Sequence, residues 1–297
     1  MVDLSICIVT YNAKDLLLGC LKSVYNNLDH VNAEVVLVDN ASTDGSIEAV
    51  RELWPDVQII KNTENLGFVK PTNQAMKISR GRYVLWLNND TIVLDNALAK
   101  LVEFMDTNPL VGICGPKVLN RDGTVQNQCR RGFPTPWNIF AYLTGLSRLF
   151  PNSPRFAGYL MTYFDEDQVH EVDAVSGSCL LVRREVINQI GYLDEDYYAY
   201  GEDLDYCARA KKAGWKIYYY PRAEIIHYGG QGGSGVQPYR SIYHFHRSMW
   251  LFYQKHIASD HIFLFNWAVG FAIVAKLFLA VIANLLRRRK VVGSAKP

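Results

Sequence analysis

Short, nearly uninterrupted apolar runs alternate with amphipathic segments from the N-terminus to about residue 90, and no other feature limits the fold so strongly. Residues 4–10 (LSICIVT), 34–39 (EVVLVD) and 83–87 (YVLWL) lack polar alternation, as expected of strands buried on both faces, and 57–61 reads as a further strand. Between the first two runs, Leu17, Cys20, Leu21 and Val24 recur at helical spacing, and helices are expected near 44–53 and 71–79. Pro71 suits the first turn of the last, where its missing N–H costs nothing. This βαβα order predicts an α/β chain whose mostly parallel sheet is covered by helices on both faces. Open sheets of that kind collect their functional groups at the carboxyl ends of the strands.

Past a helix at 95–107 the pattern loosens. A strand at 111–118 leads to an Asp122-Gly123 turn, a hairpin signal, and residues 129–170 are rich in proline and aromatics without a period. That excursion is expected to shape a second substrate's site. Order returns with a strand at 178–183, a helix at 203–213 ended by Gly214, and a strand at 216–220. Gly229, Gly230, Gly232, Gly233 and Gly235 then form an expected mobile loop. The reading gives a globular unit over 1–235, with halves at about 1–118 and 119–235, and a helical tail over 236–297.

Residues 262–286 are the most apolar stretch, about 37 Å long as a helix and followed by Arg287, Arg288, Arg289 and Lys290. Asn266, Lys276 and Asn284 interrupt the apolar run, and basic residues flank both ends. The expectation is a helix in the plane of the cytosolic membrane surface, with Lys276 snorkelling to the headgroups. The alternatives are a helix that spans the bilayer, as hydropathy by itself suggests, and a buried core helix or one that joins two copies of the chain.

Composition excludes several classes. The net charge of +2 gives no global pull toward nucleic acid, and 49% hydrophobic residues exclude a disordered chain. Six cysteines without a Cys-x-x-Cys pair exclude a zinc ribbon and suit reduced cytosolic thiols. The start of the chain has no basic n-region, so a cytosol-facing protein is expected.

The strand exits carry the chemistry. Thr10-Tyr11-Asn12 has no glycine-rich turn, against a dinucleotide site or a P-loop. Asp39, ending the second strand, could accept from a pyrimidine N–H or merely turn the chain, as Asp44 does. Asn88-Asn89-Asp90 ends the fourth, and a carboxylate there suits a hard divalent cation shared with phosphate. Within 191–206, Asp194, Glu195, Asp196, Glu202, Asp203 and Asp205 interleave with Tyr192, Tyr197, Tyr198 and Tyr200. Tyrosine faces and carboxylates suit a sugar acceptor, one carboxylate serving as general base; a solvated helix start is the bland reading. His227 reads as a metal ligand or a structural histidine.

Seven segments in order resemble the family 2 glycosyltransferases of GT-A fold, a Rossmann-like α/β architecture. They are Ile8-Val9-Thr10-Tyr11-Asn12, the run from Val38 to Ser46, Asn65-Leu66-Gly67-Phe68, Leu87-Asn88-Asn89-Asp90, the run from Gly177 to Arg184, Tyr200-Gly201-Glu202-Asp203-Leu204-Asp205, and His227. The branch is similar to bacterial rhamnosyltransferases of O-antigen and cell-wall polysaccharide assembly. The resemblance implies inverting transfer from a nucleotide sugar, dTDP-rhamnose first and a UDP-sugar next, to a polyprenyl-diphosphate-linked saccharide, with Mg²⁺ or Mn²⁺. It assigns Thr10, Tyr11, Asn12, Asp39, Asn65, Gly67 and Asn89 to the donor, and Asp90 and His227 to the metal. Tyr200 and Glu202 fall to the acceptor, and Asp203 to the catalytic base. Asn88 stands where the family has its first acid, and Lys70-Pro71 replaces its small residues. A non-catalytic nucleotide-sugar binder remains the alternative of a different class. A processive synthase would carry several membrane helices and a Gln-x-x-Arg-Trp motif, neither found here.

Overall fold

The structure, a computed structural model, describes residues 2–229 and 238–286. The glycine-rich stretch from Gly230 to Gly235 and the basic cluster at 287–290 lie outside the described residues. Strand β1 (Leu4–Thr10) leads through α1 (Lys14–Tyr25) to β2 (Ala33–Asp39), α2 (Ser46–Leu53), β3 (Gln58–Lys61), α3 (Val69–Ile78) and β4 (Tyr83–Asn88). These four strands pair in parallel in the order β3-β2-β1-β4, so Thr10 lies beside Asp39 and Val9 beside Asn88. Apolar continuity buries both faces of β1 and β4 and leaves their carboxyl ends as the polar edge.

The chain continues with β5 (Thr91–Val93), α4 (Ala97–Thr107), β6 (Val111–Leu119), β7 (Arg130–Arg131), α5 (Pro136–Leu143) and α6 (Leu146–Leu149). Next come β8 (His170–Glu171), β9 (Ala174–Val175), β10 (Cys179–Arg183), α7 (Arg184–Ile190), α8 (Glu202–Lys212) and β11 (Lys216–His227). They extend the sheet as β4-β10-β6-β11-β5, with β8 on β11, while β7 and β9 form a separate two-stranded ladder. Because β10 runs antiparallel to β4, its amino end meets the carboxyl end of β4, where Asn88 N–H donates to the Ser178 carbonyl at 2.9 Å. Buried Trp86 of β4 meets Tyr206 of α8 edge to face at 5.0 Å, seating the acidic helix on the sheet.

Two elements differ from expectation. The last strand runs seven residues past Tyr220, through an irregularity between Tyr220 and Glu224 that accommodates Pro221, a residue unable to donate to the ladder. The extension pairs with β5, setting His227 opposite Thr91. The Asp122-Gly123 turn forms, with Gly123 at φ 82, but it closes on one bridge, Leu119 with Val125, instead of a second strand.

Helix α9 (Pro238–His256) packs Phe252 and Tyr253 into the core, and α10 (Phe263–Leu286) lies along it. Asn266 donates to the Ala258 carbonyl at 3.0 Å, Lys276 sits over the Phe245 ring at 5.6 Å, and Asn284 is buried. Lys276 therefore turns onto α9, against the expected snorkelling. The opposite face is apolar and exposed: Phe263, Leu264, Trp267, Phe271, Phe278 and Leu279. All six cysteines are free and buried.

Candidate active site

The positions assigned to the donor gather along one amide-rich edge. Asn89 Nδ2 donates to Thr10 Oγ1 at 3.0 Å, joining the ends of β4 and β1. Tyr11 and Asn12 follow β1, and Asn12, at φ 47, accepts the Thr43 N–H at 2.8 Å while its own N–H donates to Ser42 Oγ. Asp39 is buried, and its Oδ1 accepts the Ser42 N–H at 3.0 Å, so it shapes the loop that returns to Asn12. Asn40 Nδ2 donates to the Gly67 carbonyl at 2.6 Å, and Asn62 Nδ2 bridges Asn40 and Gln74 at 3.0 Å each. Asn65 Oδ1 accepts the Gly67 N–H and the Tyr198 hydroxyl at 2.9 and 3.2 Å. Gly67 has φ 88, and a Cβ there would stand 2.5 Å from the Tyr198 carbonyl, so only glycine fits. Asn62 and Gln74 escaped the sequence reading, because neutral amides have no spacing signature, and Tyr198, expected among the acceptor's tyrosines, meets Asn65 on this edge.

The two residues assigned to the metal come from separate elements, Asp90 from the turn between β4 and β5 and His227 from the end of β11. Asp90 Oδ1 and His227 Nε2 stand 3.2 Å apart, brought together by the β5–β11 pairing. Gln126 holds the histidine at both ends: its Nε2 donates to the His227 carbonyl at 2.8 Å, and its Oε1 lies 3.2 Å from His227 Nδ1. With Nδ1–H donated to Gln126 Oε1, Nε2 faces the carboxylate, a geometry in which the two side chains could share a cation. One carboxylate and one imidazole fit Mg²⁺ or Mn²⁺ if phosphate oxygens supply the other positions. Among the described residues there is no cluster of three or more His, Cys, Asp or Glu able to hold a metal alone. Asn88 Nδ2 lies 3.3 Å from the same Nε2, adjoining the pair without adding charge.

The acidic residues divide sharply. Gly201, at φ 76, opens α8, and Glu202, Asp203 and Asp205 occupy its positive end. Asp205 pairs with Arg209 at 2.9 Å and His256 at 2.8 Å, and Asp194 and Asp196 pair with Lys255, which makes these structural. Asp203 Oδ2 accepts from buried Arg131 of β7 and from the Gly177 N–H at 3.0 Å. Gly177 adjoins Ser178, the partner of Asn88, so Asp203 stands on the same polar edge as the metal pair. Glu202 is buried with Oε2 unpartnered; burial, then the Asp203 charge, raises its pKa to about 8. Tyr200, at φ 69, meets Phe245 of α9 edge to face at 5.8 Å. Arg131 lies in the stretch without a period and Gln126 just before it, where no sequence signal marked them.

The glycosyl transferase family 2 model matches residues 5–191. The chain is 26% identical to the N-acetylglucosaminyl-diphospho-decaprenol L-rhamnosyltransferase of Mycobacterium tuberculosis, over 86% of each protein. It is 29% identical to the low-salt glycan biosynthesis hexosyltransferase Agl10 of Haloferax volcanii, over 76% of this chain and 67% of that one. Among solved structures, S. aureus TarS 1–349 in complex with UDP-GlcNAc superposes with a TM-score of 0.60 at 18% identity, covering 95% of this chain and 73% of that one. The Pyrobaculum calidifontis mannosyltransferase PcManGT, solved with GDP-Man and Mn²⁺, gives 0.57 at 20%, over 95% and 74%. These superpositions support the GT-A fold. The chain belongs to glycosyl transferase family 2 and is a glycosyltransferase.

Proposed function

We propose that the protein transfers rhamnose from dTDP-rhamnose to a hydroxyl of a polyprenyl-diphosphate-linked saccharide, with inversion, at the cytoplasmic face of the membrane. The observation that carries this reading is the match over 86% of both chains to a rhamnosyltransferase named for a lipid-linked acceptor. Such a match must run beyond residue 191, where the family model ends.

Thr10, Tyr11, Asn12 and Asp39 hold the nucleoside, and Asn65, Gly67 and Asn89 border the donor. Asp90 and His227 hold Mg²⁺ or Mn²⁺, which when bound offsets charge on the departing diphosphate. Glu202 and Tyr200 bind the acceptor, and Asp203 takes the proton from its hydroxyl. The freed oxygen bonds to the anomeric carbon from the face opposite the diphosphate. The bond from that carbon to the diphosphate oxygen breaks, and its electron pair leaves with the nucleoside diphosphate. The apolar face of α10 rests on the bilayer and brings the site to the acceptor.

The test is transfer to N-acetylglucosaminyl-diphospho-undecaprenol from dTDP-rhamnose, UDP-glucose, UDP-N-acetylglucosamine and GDP-mannose, with Mn²⁺ and Mg²⁺. Turnover from dTDP-rhamnose to an anomerically inverted product supports the reading, and preference for a UDP-sugar corrects the donor. Asp203→Asn should lower kcat about 10²-fold or more with little change in nucleotide affinity. Wild-type turnover in that variant overturns the base assignment.

A further inference from the structure

Asp203 does not stand alone in the interior. Arg131 is buried, comes from the short strand β7, and is placed by the β7–β9 ladder, in which Arg131 lies opposite Ala174. From there its Nη2 reaches both the Asp203 carboxylate and the Val175 carbonyl, the latter at 3.2 Å. One guanidinium thus ties the ladder to the first turn of α8, and Gly177 N–H completes the grip on the same carboxylate oxygen. A Cβ at Gly177 would stand 3.3 Å from the Asp203 Cβ, so this loop closes tightly over the carboxylate. Arg131 Nε has no partner, and the guanidinium meets Asp203, the Val175 carbonyl and the Tyr159 hydroxyl. Glu202, the preceding residue, leaves its Oε2 unpartnered.

We propose that Arg131 is a positioning residue for the transfer, selecting Asp203 rather than Glu202 as the ionised carboxylate of the pair and fixing its orientation toward the acceptor hydroxyl. The inference rests on Asp203 as the base. Two neighbouring carboxyls in a dry site compete for one negative charge, and a guanidinium bonded to only one of them decides the competition. Burial works to lower the Arg131 pKa, but the Asp203 charge, the Tyr159 hydroxyl and the Asp203 hydrogen bond together raise it above its ordinary value, so the guanidinium stays charged. The proton leaving the acceptor oxygen then has one destination, the Asp203 carboxylate, and Arg131 takes no part in bond exchange.

The test is a double-mutant cycle on full-length protein, with N-acetylglucosaminyl-diphospho-undecaprenol as acceptor and the most active of the four donors named above. Arg131→Met should lower kcat about 10²-fold while dTDP and UDP affinity in Mn²⁺, read by calorimetry, stays within twofold. Arg131→Lys should recover part of the loss. In the Asp203→Asn background, Arg131→Met should change the residual kcat less than twofold, because its effect runs through the carboxylate. That double variant has neither charge of the buried pair, so it remains informative even where Arg131→Met alone fails to fold. Wild-type kcat in both single Arg131 variants, or a further tenfold loss in the Asp203→Asn background, overturns the inference. Wild-type kcat in Asp203→Asn overturns the base assignment instead, and absence of transfer from every donor overturns the acceptor assignment on which both stand.

Discussion

Glu202 and Gln126 show how much a single side chain can decide. The Glu202 carboxyl, raised from its ordinary 4.5 to about 8 by burial and then by Asp203, keeps a proton that the unfolded chain has released above pH 5. The fold therefore gains from this group in acid and loses that gain as pH rises toward 8. Replacement by Gln, which is always neutral, should flatten the dependence. Melting temperatures between pH 5 and 8 should fall more steeply for wild type than for Glu202→Gln, and parallel curves would refute the account. Gln126 contacts no donor position, yet it fixes the tautomer and direction of His227. Gln126→Leu should weaken Mn²⁺-dependent binding of a nucleoside diphosphate by roughly 10–100-fold, as measured by calorimetry, and leave metal-free binding unchanged. Equal metal dependence in the two proteins would remove Gln126 from the site.

At the scale of elements, the turn after β3 is the most constrained piece. Gly67 brings its backbone against Tyr198, whose carbonyl accepts the Phe68 N–H at 2.8 Å and whose ring stacks on His244 of α9 at 4.2 Å. Gly67→Ala should cost on the order of 1–3 kcal/mol, because both the positive φ and the contact oppose a methyl. Urea unfolding measures it, and a change under about 0.5 kcal/mol would mean the turn yields. The parallel half of the sheet was legible in the sequence because buried strands such as 4–10 and 83–87 repeat their apolar signal at every residue. The strand exits followed, since topology alone puts Thr10, Asp39 and Asn88 on one edge. What stayed hidden depends on pairings between distant segments: β11 passing Pro221 to reach β5, and the two-residue β7 aligning with β9. Strands this short carry no period, so Arg131 could be found only through the partner it meets.

Across the whole molecule, α9 joins what the sequence suggested as separate parts. On one side Ser248 donates to the Ala199 carbonyl at 3.1 Å, Lys255 holds Asp194 and Asp196, and His256 meets Asp205. On the other it carries α10. A chain ended at residue 260 keeps α9 and should stay folded and soluble. It should bind dTDP in Mn²⁺ as the full chain does and lose co-sedimentation with anionic phospholipid vesicles. Undiminished sedimentation would place the membrane contact elsewhere. Labelling of a cysteine placed beyond Lys290 by a membrane-impermeant reagent in intact cells would show that α10 crosses the bilayer. On the proposed reading, with α10 lying on lipid and Asp203 as the base, α9 would join the two and set the height of that carboxylate above the membrane. Such an enzyme would work as a depth gauge: a saccharide whose free hydroxyl stands a sugar unit too high or too low would miss the base, so that glycan length would be counted by height.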